Sequence, residues 1–268
     1  MSSLDHFLTQ TTLPSMSEVA HALVRTLNTP EASATEVRNI LAKDAALSAK
    51  LLRLANSASY GLPRGVGTLD EALAMVGMEK VRALALGACL NDCFPKVKGL
   101  DPADFWKSNM ACAAYAQWLA AHLEIDTQMA WLTGLLLRLG ELLILQADPG
   151  ALAEIEQAPQ KPGERWMRER QHVGFTEGEL TAELARRWNF PMQIVQALQR
   201  ADQPLVDQAF SRLGGVVHLA GLLADMPDAD AQAIDMLPDD VLDSLKLDLQ
   251  WMRDHFPASN SFVDITTA

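Results

Sequence analysis

Cysteine is scarce in this chain. Three thiols, Cys89, Cys93 and Cys112, in 268 residues do not make the paired framework of a small secreted domain, and they point to a reducing, cytoplasmic compartment. Cys89 and Cys93 stand four apart and share a face on a helix. With no further ligands close in sequence they read as two small buried hydrophobes, not as half of a zinc site. Residues that favour strands are also few: 14 Val, 7 Ile and 6% aromatics stand against 41 Leu and 39 Ala. Leucine and alanine lose little free energy in a helix, so the composition predicts an all-α protein. There is no strand-like alternation, no Asn-Gly or Asp-Gly hairpin turn and no fixed-period repeat. Basic charge is short as well, 22 residues against 34 acidic for a net −12. A polyanion is a poor partner for such a surface, which argues against nucleic acid and anionic membranes. The opening MSSLDHFLTQ has neither a basic segment nor a long apolar run, so no signal peptide is read there. The most apolar stretch, Met129 to Leu145, is interrupted by Arg138 and Glu141 and is shorter than a comfortable bilayer span. It reads as a buried core helix with no membrane insertion.

Helix signals fill the chain. Ser33 with Glu36, Thr68 with Glu71, and Thr176 with Glu179 have capping-box spacing. Pro102 and Pro191 stand where a first helical residue tolerates a missing N–H. From Glu36 to Ala58 the apolar residues Val37, Ile40, Leu41, Leu47, Leu51, Leu52 and Leu54 follow a helical period that breaks near Asp44, which predicts two helices meeting at residues 43–45. Further helices are expected at about 16–28, 69–76, 79–93, 102–123, 127–146, 149–157, 163–172, 177–188, 191–201 and 205–224. Between Asp225 and Asp254 nine aspartates face two basic residues, a net −7 that leaves −5 for everything else. Leu237, Val241, Leu242, Leu245 and Leu249 still recur at helical spacing there. The stretch reads as a terminal helix packed on the body with a solvated acidic face, or as a partner-docking tail.

Chemistry is harder to find. The six histidines form no HxxxH or HxH pair. The Glu18/His21 and Glu169/His172 spacings would place each pair on one helix face, but both lie in polar stretches, and di-iron bundles need two further core glutamates. No phosphate-binding glycine loop, nucleophile elbow or HExxH occurs. Arg138 and Glu141, one turn apart in the most apolar helix, must pair or reach water. A local ion pair at the mouth of a cavity is the structural expectation, and a ligand-binding arginine the functional one.

Asp44 to Gly61 (DAALSAKLLRLANSASYG), followed by Thr68 to Leu86 (TLDEALAMVGMEKVRALAL), resembles the HDOD family. These are bacterial helical domains related to the HD and HD-GYP metal-dependent phosphohydrolases. The resemblance begins at LPSM (Leu13 to Met16) and continues through Trp106, Gly134 to Leu145 (GLLLRLGELLIL), Gly174 to Pro191 (GFTEGELTAELARRWNFP) and Pro204. It implies an HDOD-like multi-helical domain over 13–210, with an N-terminal arm at 1–12 and C-terminal helices with an acidic extension at 211–268. Residues that would be metal ligands in an HD enzyme fall here on Ser108, Leu137, Arg138, Thr176, Glu177, Ala201 and Asp202. Leucine and alanine supply no ligand atom, and Arg138 would repel a cation.

The resemblance therefore implies a cytoplasmic regulator without metal or cofactor, acting through contacts with signalling proteins. Asn56, Ser57 and Tyr60, from the Asn-Ser signature, are its candidate contact residues. Asn56 stands at a helix C-terminus, where asparagine readily takes the left-handed conformation, and a cap is as good a reading as a contact. Tyr60 reads as a half-buried anchor or a contact. The alternative is a sensor of a small anionic ligand such as a nucleotide, held by Arg138 in the old cavity. Metal-dependent phosphohydrolysis is the reading these residues support least.

Overall fold

The computed structural model describes residues 3–29, 31–56, 64–94, 97, 99–157, 161, 163–206, 210–226 and 228–257. Among them are sixteen α-helices, two 3-10 helices and no strand, so the protein is all-α. The chain packs as two compact units. Described residues within 14–95 and 186–191 form the smaller, and those within 1–13, 96–185 and 192–257 the larger. The first helix, α1 (Ser3–Gln10), lies where the sequence suggested only an arm. It belongs to the larger unit, where Phe7 packs on Phe175 with ring centroids 5.8 Å apart.

The smaller unit holds α2 (Glu18–Leu27), α3 (Ala34–Leu41), α4 (Ala45–Ala55), α5 (Leu69–Val76) and α6 (Met78–Cys93). The other four all pack on α6, whose residues Val81 to Leu90 are buried on every face. Ala83, Ala85, Gly87 and Ala88 are small enough to let four neighbours approach at once. The expected break after α3 is made by Asp44, whose carboxylate accepts from the Leu47 N–H at 2.9 Å and starts α4. At α5 the capping box is complete: Glu71 N–H donates to Thr68 Oγ1 at 3.1 Å, and Thr68 N–H donates to Glu71 Oε2 at 3.2 Å.

The larger unit continues with α7 (Pro102–His122), α8 (Thr127–Leu136), α9 (Leu139–Ala147), α10 (Leu152–Ile155), α11 (Glu164–Val173), α12 (Glu177–Arg187), α13 (Met192–Gln199), α14 (Arg212–Asp225), α15 (Asp239–Leu245) and α16 (Leu249–Asp254). The last two residues of α12 are grouped with the smaller unit. The core of the larger unit is α7 packed against α8 and α14. Pro102 does occupy the first turn of α7, capped by Asp101. Thr127–Ala147 is long and apolar enough to cross a membrane by composition, but 89% of its most apolar window is buried inside the protein.

Two expected helices are each divided. The single helix at 127–146 breaks at Leu137–Arg138, between α8 and α9. Thr181 of α12 holds the break open: its hydroxyl donates to the Leu137 carbonyl at 3.0 Å and accepts from the Gly140 N–H at 2.7 Å. Both backbone groups freed by the break are thereby satisfied. A Cβ at Gly140 would overlap the Glu177 carbonyl oxygen, and one at Gly178 would lie 2.6 Å from the Leu198 carbonyl. Glycine at these two places is what lets α12 cross α9 and α13 backbone to backbone. The expected terminal helix from Leu237 to Trp251 is likewise two, α15 and α16, divided by Lys246 at φ 57°.

Candidate functional site

The residues that the resemblance places at HD ligand positions come from four places in the larger unit. Leu137 and Arg138 sit at the α8–α9 break. Thr176 and Glu177 open α12. Ala201 and Asp202 follow α13, and Ser108 is half-buried on α7. All but Ser108 converge. Leu137 and the Ala201 methyl both pack at Gly178, next to Glu177, and both are at most 1% exposed. Thr176 completes the expected capping box, its N–H donating to Glu179 Oε2 at 2.9 Å and its Oγ1 accepting from Glu179 N–H at 3.4 Å. Asp202 binds Arg170 Nη2 at 2.6 Å. No polar contact joins Ser108 to the group among the described residues.

Beside Glu177 lies a buried group of charges that the sequence did not reveal. The Arg165 guanidinium of α11 meets Glu141 at 2.5 Å, Glu156 at 2.7 Å, and both Glu169 and Glu177 at 3.4 Å. Glu177 also accepts from Trp166 Nε1 at 3.1 Å. Glu141, Glu169 and Glu177 are at most 1% exposed, whereas Glu156 is 40% exposed. One guanidinium cannot neutralise so many neighbouring carboxylates, and burial drives Glu141 and Glu169 toward their protonated forms. Burial pushes the Glu141 carboxyl up to about 8 against the opposing pull of Arg165. Burial also raises Glu169 well above the carboxylate range, with Glu177 adding to the effect. Burial acts upward on Glu156 too, but the hydrogen bond from Glu141 and the Arg165 charge hold it down to about 2.

Arg165 and Glu169 lie in the segment ERWMRERQHV, which composition reads as a solvated helix. The one available signal was their i,i+4 spacing. Glu169, read with His172 as part of a polar stretch, is in fact wholly buried, while His172 turns to Glu154 at 3.0 Å.

Arg138 and Glu141 do not pair with each other. Arg138 pairs with Asp225, the last residue of α14 and the first of the acidic stretch, and both are almost fully buried. Glu141 pairs with Arg165. The reason is the α8–α9 break. Arg138 has φ −86° and ψ 0° and precedes α9, so the two side chains do not stack one turn apart on a continuous helix.

A groove of about 760 Å³ opens next to Asp202. Its walls come from α11 (Trp166, Met167, Arg170), residues 202–206, α14 (His218, Leu222), and the acidic stretch (Met236, Pro238, Asp240, Val241). His218 is 7% exposed, and burial lowers its basicity, so the ring is neutral. Its Nδ1 lies 2.7 Å from the Ala201 carbonyl oxygen. A carbonyl only accepts, so Nδ1 carries the proton and Nε2 is left as an acceptor.

Asn56 caps α4 with φ −85° and ψ 0°, not the left-handed conformation expected of it. Its amide donates to the carbonyls of Leu52 at 2.7 Å and Val66 at 2.8 Å and accepts from the Val66 N–H at 2.7 Å. These bonds clasp the two ends of the segment between α4 and α5. Ser57 and Tyr60 lie outside the described residues.

The sequence profile of the HDOD domain matches residues 13–204. The chain belongs to the HDOD family. A Treponema pallidum relative of this HDOD chain, itself uncharacterised, is 25% identical over 196 residues, covering 70% of this chain and 37% of its own. A Vibrio cholerae protein named cyclic di-GMP phosphodiesterase CdgJ is 27% identical over 146 residues, 53% of this chain and 31% of its own. The HDOD chain thus spans about a third of the length of these curated relatives. Among solved structures, a protein from Shewanella amazonensis provisionally named a phosphohydrolase aligns with TM-score 0.75 and 29% identity, over 94% of this chain and 92% of its own. An HDOD domain protein of unknown function from Geobacter sulfurreducens aligns with TM-score 0.72 and 17% identity over 95% and 97%. That second likeness shows the fold alone.

The metal that HD relatives imply does not fit the residues of this HDOD chain. Leu137 and Ala201 offer no ligand atom, Arg138 is a cation paired with Asp225, and Thr176 is engaged with the α12 backbone. Asp202 is taken by Arg170, and Glu177 by Trp166 and Arg165. No group of three or more His, Cys, Asp or Glu able to hold a metal ion occurs among the described residues. Cys89 and Cys112 are buried, and burial pushes each thiol up to about 12, far from a thiolate ligand.

Proposed function

We propose that this HDOD chain is a non-catalytic module of bacterial signal transduction that works in the cytoplasm through contacts with signalling proteins. One observation carries the reading: at and beside the positions where an HD enzyme would hold metal, the charged groups are engaged with one another within the protein. Arg165 sits among four carboxylates, and Arg138 is closed against Asp225. A phosphate clamp needs charge that is still available to its substrate. An anionic ligand at Arg138 would have to displace Asp225 and leave a buried carboxylate unpaired, so we favour the protein-contact reading over a nucleotide sensor.

The test is hydrolysis of cyclic di-GMP, the substrate in the name of the Vibrio cholerae relative, and of bis-p-nitrophenyl phosphate, with Mn²⁺ or Mg²⁺ added. The expected result is no turnover above background. Turnover that disappears in Glu177→Gln would overturn the reading.

A further inference from the structure

Five large apolar side chains are strongly exposed among the described residues, and three of them, Met167 (61%), Val206 (71%) and Met236 (48%), rim the groove beside His218. Isolated exposed hydrophobes are ordinary, but apolar side chains gathered around one concave surface mark an interaction site. Two of the three are methionines, whose unbranched side chains remould around different apolar partners. A small ligand inside the groove would leave these rim side chains in water. An occupant that covers them must lie across the groove, as a helix about 10–12 Å wide does.

The polar groups define the charge of that occupant. His218 presents Nε2 as an acceptor, its Nδ1 proton being committed to Ala201. Asp202 and Asp240 also line the groove. Arg170 is the one cation in the lining among the described residues, and it is matched by Asp202 at 2.6 Å and Glu179 at 3.2 Å. Asp240 opens α15 beside Asp239, both exposed to water. The remaining capacity of the groove is therefore acceptor and negative. Its occupant must supply N–H donors and positive charge alongside apolar side chains. A second copy of this chain, with a net charge of −12, would set acid against acid.

We infer that the groove between α11, α14 and α15 docks a basic amphipathic helix of a partner protein. Apolar side chains of the helix cover Met167, Val206 and Met236, and a lysine or arginine reaches His218 Nε2 and Asp240. This docking gives the acidic C-terminal stretch its role, as one wall of a recognition surface. The inference rests on the protein-contact reading above and names the partner's chemistry.

The test uses the full chain and a dye-labelled peptide of about 18 residues, long enough for five helical turns, with Leu at i, i+3, i+4 and i+7 and Lys elsewhere. A second peptide carries Glu in place of Lys. Fluorescence anisotropy at about 150 mM salt suppresses long-range attraction. The Lys peptide is expected to bind and the Glu peptide not. Met236→Glu should weaken binding about tenfold or more, equivalent to about 1.4 kcal/mol, and Asp240→Asn a few-fold. Met192→Glu and Asp243→Asn change the same residue types at exposed positions outside the groove and should leave binding unchanged. Equal loss in Asp243→Asn and Asp240→Asn, or in Met192→Glu and Met236→Glu, would show attraction by net charge or general stickiness and overturn the inference. So would absence of Lys-peptide binding. Phosphodiester hydrolysis measured on the same preparations separates the two readings: no turnover with no binding removes the groove alone, whereas turnover removes the non-catalytic reading.

Discussion

Arg138 and Asp225 form an ion pair in which the side chains are only 5% and 6% exposed. It ties the break between α8 and α9 to the end of α14. The residue that looks most like a remnant of a metal ligand pair is thus a structural cross-link.

Removing one partner of this pair leaves a buried charge without an answer. Arg138→Met is expected to destabilise the larger unit by about 3–5 kcal/mol, and the double variant Arg138→Met/Asp225→Leu to recover most of that loss. Urea denaturation of both variants and the wild type checks this. A double variant no more stable than the single one would show that the pair is not the cause.

The break itself depends on a hydroxyl. Thr181→Val keeps the shape but strands the Leu137 carbonyl and the Gly140 N–H, and should cost about 1–3 kcal/mol for each buried group left unpaired. Thr181→Ser retains both hydrogen bonds and should be nearly neutral. Thermal unfolding midpoints of the two variants distinguish them.

The carboxylate group around Arg165 gives stability a signature in pH. Glu141 has its folded value raised from 4.5 to about 8, so its stabilising effect is fully present below about pH 4.5 and is lost as pH rises through about 8. Glu169 acts in the same direction. Glu156, held down to about 2, contributes stability that is lost as pH falls from about 4.5 through that value. Glu141→Gln mimics the protonated carboxyl and should flatten the decline between about pH 5 and pH 8 by about one proton's slope, about 1.4 kcal/mol per pH unit. Denaturation midpoints at several pH values measure it, and an unchanged slope would show that Glu141 is already ionised.

The C-terminal helix is held by an aromatic stack. Trp251 of α16 lies on His122 with centroids 3.8 Å apart and on Trp118 at 5.4 Å, and Phe256 packs against Trp118 and Tyr115. Trp251→Ala should release α16 at a cost of about 2 kcal/mol, less than for a fully buried tryptophan because Trp251 is half-buried. Hydrogen exchange should rise over 249–254 and stay unchanged in α7 and α8.

Much of this fold was legible from local rules. Leucine and alanine content gave the all-α class, and the start of α5 follows from Thr68 and Glu71. Asp44 marked the division between α3 and α4, and Arg138 and Glu141 stood out as charges needing partners in an apolar helix. The candidate site was less legible. Arg165 and Glu169 sit in a segment polar enough to pass for a solvated surface, and nothing local announces that α11 is packed charge-side inward. Asp225 looked like part of an acidic appendage, 87 positions from the arginine it neutralises.

Propensity, capping and the family's ordered motifs depend on neighbours in the chain, so the order of residues alone settles an all-α HDOD chain. Which charge answers which, where the long apolar helix breaks, and that acidic residues wall a groove rimmed by Met167 and Met236 depend on helices brought together from distant parts of the chain. Burial is what gives those pairings their strength, because a charge withdrawn from water must find its partner wherever packing puts one.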